Sequence, residues 1–155
     1  MSLLTIRSLA ELEAYQGQEL GVSPYLLITQ EQINRFAEAT LDRQWIHVDE
    51  ERARTESPFG SPIAHGYLTV AVLPFLWTQI VYIENLKMQV NYEIESLRFN
   101  QAVPANSEVR LRSTLLSVKN LRGVAKAQIG VTLEIKDQKK PAYTGVVVFL
   151  YHFIG

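Results

Sequence analysis

The chain has 155 residues, 47% of them hydrophobic, and its formal net charge is −1 at pH 7. This composition is typical of a globular protein, and it gives no electrostatic basis for binding nucleic acid or an anionic membrane. The sequence contains no cysteine, which excludes disulfide bonds, thiolate nucleophiles and cysteine-based zinc sites.

The N-terminal region predicts two helices. Residues 1–7 lack the basic start and the apolar run of a signal peptide, so we expect a cytoplasmic protein. The apolar spacing of residues 9–15 predicts a short amphipathic helix. Thr29, followed by Gln32 three positions later, has the form of a capping box. It predicts a second helix that runs to about Ala39.

A loop precedes a long uncharged segment. Periodicity is lost over residues 41–62, where closely spaced prolines and a glycine predict a loop with one helical turn at residues 50–54. Residues 66–83 carry no charge and reach the length at which a membrane span is arguable. Polar residues interrupt this segment and strand-like sequence follows it. We therefore expect no membrane span, but a helix buried in a soluble fold, in which Pro74 kinks the helix or removes one of its backbone hydrogen bonds.

The second half of the chain predicts strands. Residues 88–99 and 143–153 have strand character, and residues 103–107 predict a turn. The clearest alternation places five apolar side chains on one face: Ala127, Ile129, Val131, Leu133 and Ile135. Helices followed by antiparallel-looking strands indicate an α+β class, with a buried helix against a curved sheet. At this length we expect residues 1–155 to form a single domain.

Residues with catalytic chemistry are concentrated between positions 42 and 66. Asp42 lies five residues before His47, and the Pro/Gly-rich segment 57–65 leads directly to Gly66. A carboxylate and an imidazole can hold and polarise one water, and a glycine N–H at a helix start can bind a developing oxyanion. These are the groups needed to add water to an activated carbonyl compound, or to remove it. The alternative is a solvated loop carboxylate and a histidine satisfied by surface hydrogen bonds.

The segments 36–49 and 58–68 resemble the hydratase-2 signature of MaoC-like dehydratases. They are most similar to the branch that includes nodulation protein N and mycobacterial (3R)-hydroxyacyl-thioester dehydratases. Three dipeptides further along the chain resemble the same branch: Asn91-Tyr92, Arg98-Phe99 and Val103-Pro104. The likeness therefore extends over almost the whole chain.

This resemblance implies a hot-dog fold, in which an antiparallel sheet wraps around one long central helix. It also implies a homodimer, a cofactor-free active site near the interface, and an acyl thioester of coenzyme A or of a carrier protein as substrate. Asp42 and His47 correspond to the family's catalytic pair, and Gly66 to the glycine whose N–H faces the thioester oxygen. Two positions depart from the family pattern: Gln44 replaces a frequent Asn, and Pro74 replaces a frequent Ser.

Five residues are candidates for contact with the substrate: Gln44, Trp45, His65, Asn91 and Tyr92. We expect His65 to anchor the loop by a structural hydrogen bond, with a supporting catalytic role as the alternative. Strand packing explains Tyr92 equally well. For His152 we expect a structural role in the last strand, not a catalytic one. A metal site built from His47, Asp49 and His65 is not expected, because nothing in the pattern directs these side chains toward one point.

The sequence thus predicts a (3R)-specific enoyl-thioester hydratase that runs in reverse as a 3-hydroxyacyl-thioester dehydratase. Two alternatives stay open: a hot-dog acyl-thioesterase, and a non-catalytic acyl-CoA-binding subunit. The intact spacing of Asp42 and His47 favours the enzyme, whereas Gln44 and Pro74 keep the non-catalytic subunit in consideration.

Overall fold

The computed structural model describes residues 3–154 of the chain. Within this range the helices are short and lie in the N-terminal half of the chain. They are α1 (Leu9–Ala14), α2 (Gln30–Thr40), α3 (Trp45–Val48), α4 (Glu50–Glu56), α5 (Gly66–Ala71) and α6 (Leu73–Thr78). The predicted capping box is confirmed at the start of α2, where Thr29 Oγ1 accepts a hydrogen bond from the Gln32 N–H at 3.0 Å.

Strands form most of the C-terminal half. They are β1 (Leu4–Ile6), β2 (Gln18–Val22), β3 (Leu26–Ile28), β4 (Val81–Ile83), β5 (Leu86–Phe99), β6 (Ser107–Leu121), β7 (Val124–Ile135) and β8 (Tyr143–Phe153). The main sheet is antiparallel in the order β2-β6-β7-β8-β5, and β3 also pairs with β6. The predicted α+β class is confirmed.

The alternation of β7 places one row of its side chains in the core. Every second residue from Ala125 to Ile135 is buried, as the sequence pattern predicts. This row belongs to one apolar cluster with α6, whose Trp77 is 1% exposed and packs on the Phe149 ring at 5.9 Å between centroids. Each large apolar side chain buried in this way stabilises the fold by about 2–3 kcal/mol.

The central helix consists of α5 and α6, which are separated at Val72. Pro74 has no N–H, so the carbonyl of Val70 loses its helical partner. The helix direction continues because the Val72 N–H donates to Leu68 O at 3.1 Å and the Leu76 N–H donates to Val72 O at 3.0 Å. The loss of a backbone hydrogen bond expected at Pro74 is thus present, and the helix is divided two residues before it, at Val72.

The helix predicted over residues 66–83 ends earlier than expected. It stops at Thr78, and Val81–Ile83 forms β4, which pairs in parallel with β1. The helix prediction for these last residues is wrong, because an apolar run without alternation does not distinguish a buried helix from a buried strand. Within residues 3–154, no helix is both long enough and apolar enough to cross a membrane.

Strand β5 forms an open edge of the main sheet. Among the described strands it pairs with β8 alone, so one side of its backbone has no strand partner. Its 14 residues carry several exposed apolar side chains: Met88, Val90, Tyr92, Ile94 and Phe99. A long apolar edge strand of this kind is suited to pairing with another chain.

Candidate active site

Asp42 lies just beyond the C-terminus of α2. Leu41 ends that helix with a φ of 68°, a left-handed conformation that usually favours glycine because Cβ is crowded there. Arg43, the residue after Asp42, donates two hydrogen bonds to the Glu38 carboxylate, at 2.8 and 3.2 Å. These bonds and the charge of Arg43 lower the pKa of Glu38. The turn therefore leaves Asp42 exposed on a segment that is tied back to α2.

His47 lies on α3 and is only 7% exposed. Its Nδ1 is 2.7 Å from the carbonyl oxygen of Ile63. Because a carbonyl only accepts, Nδ1 carries the hydrogen and Nε2 keeps a free lone pair. Burial is the main cause that lowers the pKa of His47, and the hydrogen bond to Ile63 opposes this shift. The imidazole is therefore neutral at neutral pH, with Nε2 available to accept a proton.

The loop over residues 57–65 is fixed by backbone hydrogen bonds on two sides. The Ile63 N–H donates to Ile46 O in α3 at 3.1 Å, and the Ala64 N–H donates to Val103 O at 2.8 Å. Prolines and glycine prevent regular structure here, so these long-range bonds set the path of the loop. As a result, the loop that bonds His47 also delivers His65 to the same place.

His65 contacts both predicted catalytic residues, the backbone of Asp42 and the ring of His47. Its Nε2 is 2.9 Å from the backbone oxygen of Asp42, and it donates because that oxygen only accepts. Its ring stacks on His47 with centroids 3.9 Å apart and planes inclined by 22°. The predicted anchoring hydrogen bond is thus present in the structure.

Gly66 begins α5 beside these imidazoles. Within the described chain, neither its N–H nor that of Tyr67 has a hydrogen-bond partner. A Cβ at position 66 would lie 2.9 Å from the Phe99 ring. Only glycine therefore fits here without displacing that ring, and its N–H points from a positive helix end.

The functional groups converge on one cavity. One carboxylate oxygen of Asp42 and one ring nitrogen each from His47 and His65 lie within 4.8 Å of one another. Two hydrogen bonds of ordinary length span roughly this distance, so one water can bridge a pair of these groups. The cavity has a volume of about 450 Å³. Its lining includes Asp42, His47, Phe59, His65, Gly66, Tyr67, Thr69, Phe99 and Val103.

The other predicted substrate contacts lie elsewhere. Gln44 caps α3 without a side-chain hydrogen bond, and Trp45 packs under the Arg52 guanidinium, 4.1 Å from the ring centroid. Neither lines the cavity that contains Asp42. Asn91 and Tyr92 line a second cavity of about 420 Å³ between the central helix and β5. For these four residues, contact with substrate stays a prediction.

Sequence reasoning did not single out several residues of the cavity wall. Phe59 and Thr69 lie close in sequence to the predicted groups, whereas Phe99 and Val103 come from the end of β5 and the turn after it. The available signals were the end of a predicted strand at Phe99 and the proline turn that follows. Neither signal indicates which distant segment a strand end will meet.

The candidate metal ligands come together only in part. Asp49 caps α4, since its Oδ1 accepts the Arg52 N–H at 3.0 Å. Asp42, His47 and His65 are the ligand types that a divalent ion could use, and they are close enough to do so. The expectation of a metal-free site therefore stays a prediction.

Comparisons with known proteins agree with this architecture. The family model described as "MaoC like domain" matches residues 11–136. The chain is 42% identical to 3-hydroxyacyl-thioester dehydratase Z of Mycobacterium tuberculosis over 148 residues, which cover 95% of this chain and 97% of that protein. It is 38% identical to nodulation protein N of Rhizobium meliloti over 148 residues, which cover 94% of this chain and 92% of that protein.

A solved structure is similar in fold. The unliganded R-hydratase PhaJ1 from Pseudomonas aeruginosa superposes with a TM-score of 0.73 at 21% sequence identity. The match covers 92% of this chain and 83% of that one. The predicted hot-dog fold is confirmed, with the central helix divided into two six-residue segments.

Proposed function

The chain belongs to the MaoC-like domain family, and from this premise we propose that it is a (3R)-specific enoyl-thioester hydratase. In reverse it acts as a 3-hydroxyacyl-thioester dehydratase, and its substrate is an acyl thioester of coenzyme A or of a carrier protein. One observation carries the proposal: Asp42 and His47 meet beside an apolar cavity whose lining also includes Gly66.

The proposed hydration begins with one water held between Asp42 and His47. At neutral pH the carboxylate and the lone pair of His47 Nε2 both accept hydrogen bonds, so the water donates both its hydrogens. Its oxygen lone pair is then free to attack Cβ of the enoyl thioester. Asp42 acts as the base, a C–O bond forms at Cβ, and the site returns one proton to Cα.

The electrons released from the double bond move onto the thioester oxygen as a thioenolate. We assign its stabilisation to the N–H of Gly66 at the positive end of α5. One such donor contributes on the order of 3 kcal/mol to transition-state stabilisation. General acid–base catalysis contributes about 10²–10⁴-fold, so the two effects are comparable in size.

The test removes the two side chains separately. Asp42→Asn and His47→Gln should each lower turnover of crotonyl-CoA by about a hundredfold or more, because the new amide still accepts a hydrogen bond from the water but cannot take up a proton. Circular dichroism and thermal melting check that both variants fold. If both keep near wild-type rates while folded, the assignment is wrong.

The same assay separates the rival activities. Loss of the enoyl absorbance reports hydration, whereas release of free thiol reports hydrolysis by a thioesterase. A non-catalytic acyl-binding subunit would bind acyl-CoA without either signal across short and long chains. Chiral analysis of the product tests the (3R) assignment.

We also propose a homodimer of single-domain chains that acts in the cytoplasm. The support for dimerisation is the open edge of β5, which exposes Tyr92 and Ile94 and lies along the second cavity. Pairing of two such edges would cover this apolar surface near both cavities. Light scattering after size-exclusion chromatography gives the mass, and a monomer under assay conditions would contradict the proposal.

A further inference from the structure

His65 has no step in the proposed reaction, although it is the more deeply buried imidazole of the site. It is 2% exposed, compared with 7% for His47. Its ring lies between two others, with centroids 3.9 Å from His47 and 4.9 Å from Phe36. A side chain held this firmly beside the reacting groups requires a physical explanation.

Stability alone does not explain a histidine at this position. The Nε2–H of His65 is used by the Asp42 carbonyl, which leaves a lone pair on Nδ1. That Nδ1 is buried and has no hydrogen-bond partner within the described residues. An unpaired buried acceptor lowers stability, and an apolar side chain of similar length would avoid this cost.

We propose that His65 is a positioning residue that fixes Asp42 and His47 relative to each other. This role rests on the proposed function. The hydrogen bond acts on the backbone of Asp42, just after the left-handed turn at Leu41. The stacked ring acts on the face of His47, whose edge is held by the Ile63 carbonyl. The His65 side chain therefore contacts two separate elements, the C-terminal end of α2 and the helix α3, and fixes their positions relative to each other.

His65 also connects this pair to the oxyanion donor. It is the residue before Gly66 and caps α5, so its backbone and the Gly66 N–H share one peptide unit. The three proposed functional groups consequently take their relative positions from a single residue. A displacement of about 1 Å between reacting groups can lower the rate by about a hundredfold. The effect should fall on kcat, because His65 positions the groups that hold the water.

A matched pair of substitutions separates the hydrogen bond from packing. His65→Gln retains an N–H donor at about the reach of Nε2, whereas His65→Met has similar length and no donor. On crotonyl-CoA we expect kcat to fall by about fivefold in His65→Gln, which loses only the stacked ring, and by about thirtyfold or more in His65→Met, which loses the hydrogen bond as well. KM should stay within about twofold in both variants. His152→Gln, on β8 away from the cavity, is the control and should retain wild-type kcat.

Thermal melting shows whether a lower kcat in these variants reflects a loss of positioning or a loss of folding. His65→Met should melt within a few degrees of the wild type, because Met fills apolar space without an unpaired nitrogen. Equal kcat values in the Gln and Met variants would overturn the proposal, and so would failure of His65→Met to fold. Asp42→Asn and His47→Gln are measured in parallel. If these two retain turnover, the proposed function fails; if they lose it while both position-65 variants match the wild type, only the positioning role fails.

Discussion

Two clusters of polar side chains in this protein differ in how fully their hydrogen-bonding capacity is used. On the sheet, Glu134 accepts from Arg110 at 2.7 Å and from Arg112 at 3.2 Å, and Arg112 also binds Glu19 at 2.8 Å. Burial raises the pKa of Glu134, but the hydrogen bonds and charges of the two arginines outweigh it and lower the pKa. Every charge in this cluster has a partner.

The cluster around Asp42 leaves comparable groups unused. His47 Nε2 keeps a lone pair, His65 Nδ1 has no partner in residues 3–154, and the Gly66 N–H is free within the same range. A folded protein normally satisfies its buried polar atoms. Single buried atoms without a partner also occur elsewhere in the described residues, at Gln30, Ser113 and Tyr151, but here several unused groups gather at one cavity, which indicates a site for a ligand. The structural cluster therefore differs from the functional one in how many of its hydrogen-bonding atoms have partners, and this difference, rather than residue type, distinguishes the two.

The largest expected effect comes from Gly66→Ala. The new Cβ would lie 2.9 Å from the Phe99 ring, so either the ring or the start of α5 must move. Displacing the oxyanion donor should lower kcat on crotonyl-CoA by about 10²–10³-fold. Gly130→Ala is the matched control, because its Cβ would meet Leu116 at an ordinary 3.5 Å. Wild-type turnover in Gly66→Ala would contradict the role of this N–H.

The pH dependence tests whether the unused lone pair of His47 is needed. Burial lowers the pKa of His47 below its usual value of about 6.5. We expect kcat/KM to be constant near neutrality and to fall about tenfold per pH unit below the shifted pKa, because protonated Nε2 cannot accept from water. The measurement is kcat/KM between pH 4.5 and 8. An acid limb centred above pH 6.5 would contradict this assignment.

The free energy of unfolding should also depend on the protonation of His47, and it should fall as the pH is lowered. The folded-state pKa of His47 is depressed, so below about pH 6.5 the unfolded chain binds more protons than the folded one. The contribution of neutral His47 is present above this pH and is lost as the pH falls through the folded-state pKa. Urea unfolding at several pH values measures this loss, and His47→Gln should remove that part of it.

Much of the fold and of the cluster around Asp42 could be predicted from the sequence, because the short-range signals are strong. The Asp42–His47 spacing and the following His65-Gly66 identified the groups at the cavity. The alternation of β7 and the capping box at Thr29 gave elements that the structure confirms. Each of these features depends on residues a few positions apart, where helix and strand periods act directly.

The parts that could not be predicted depend on distant pairing. Strand β1 was missed and residues 81–83 were assigned to a helix, because each needs the other to form its parallel ladder. Phe99 reaches Gly66 only because β5 ends beside α5. The unused nitrogen of His65 depends on which carbonyl occupies the other side of the ring. Such facts are set by tertiary contacts and have no local pattern.

A smaller effect is expected when the sheet cluster is weakened. Glu134→Gln loses the charge that faces Arg110 and Arg112, whose side chains are about one-third exposed. The free energy of unfolding should fall by about 0.5–1 kcal/mol, while kcat stays unchanged. Glu31→Gln, in an exposed pair with Arg35 in the first turn of α2, is the control and should have a smaller effect, at most about 0.5 kcal/mol. Urea unfolding measures the free energy of unfolding. A loss of turnover in Glu134→Gln would contradict the distinction between a structural and a functional cluster.

The smallest expected effect is that of metal removal, and it decides what the unused atoms bind. A water shared by Asp42 and His47 requires no ion, whereas two imidazoles and a carboxylate within 4.8 Å could also hold a divalent one. After dialysis against a chelator, we expect kcat to stay within about twofold of the untreated enzyme, because general acid–base catalysis needs only the side chains. Activity that disappears on chelation and returns with Zn²⁺ would show that the free nitrogens are metal ligands. In that case the Asp42 cluster would differ from the Glu134 cluster by an ion rather than by a reacting water.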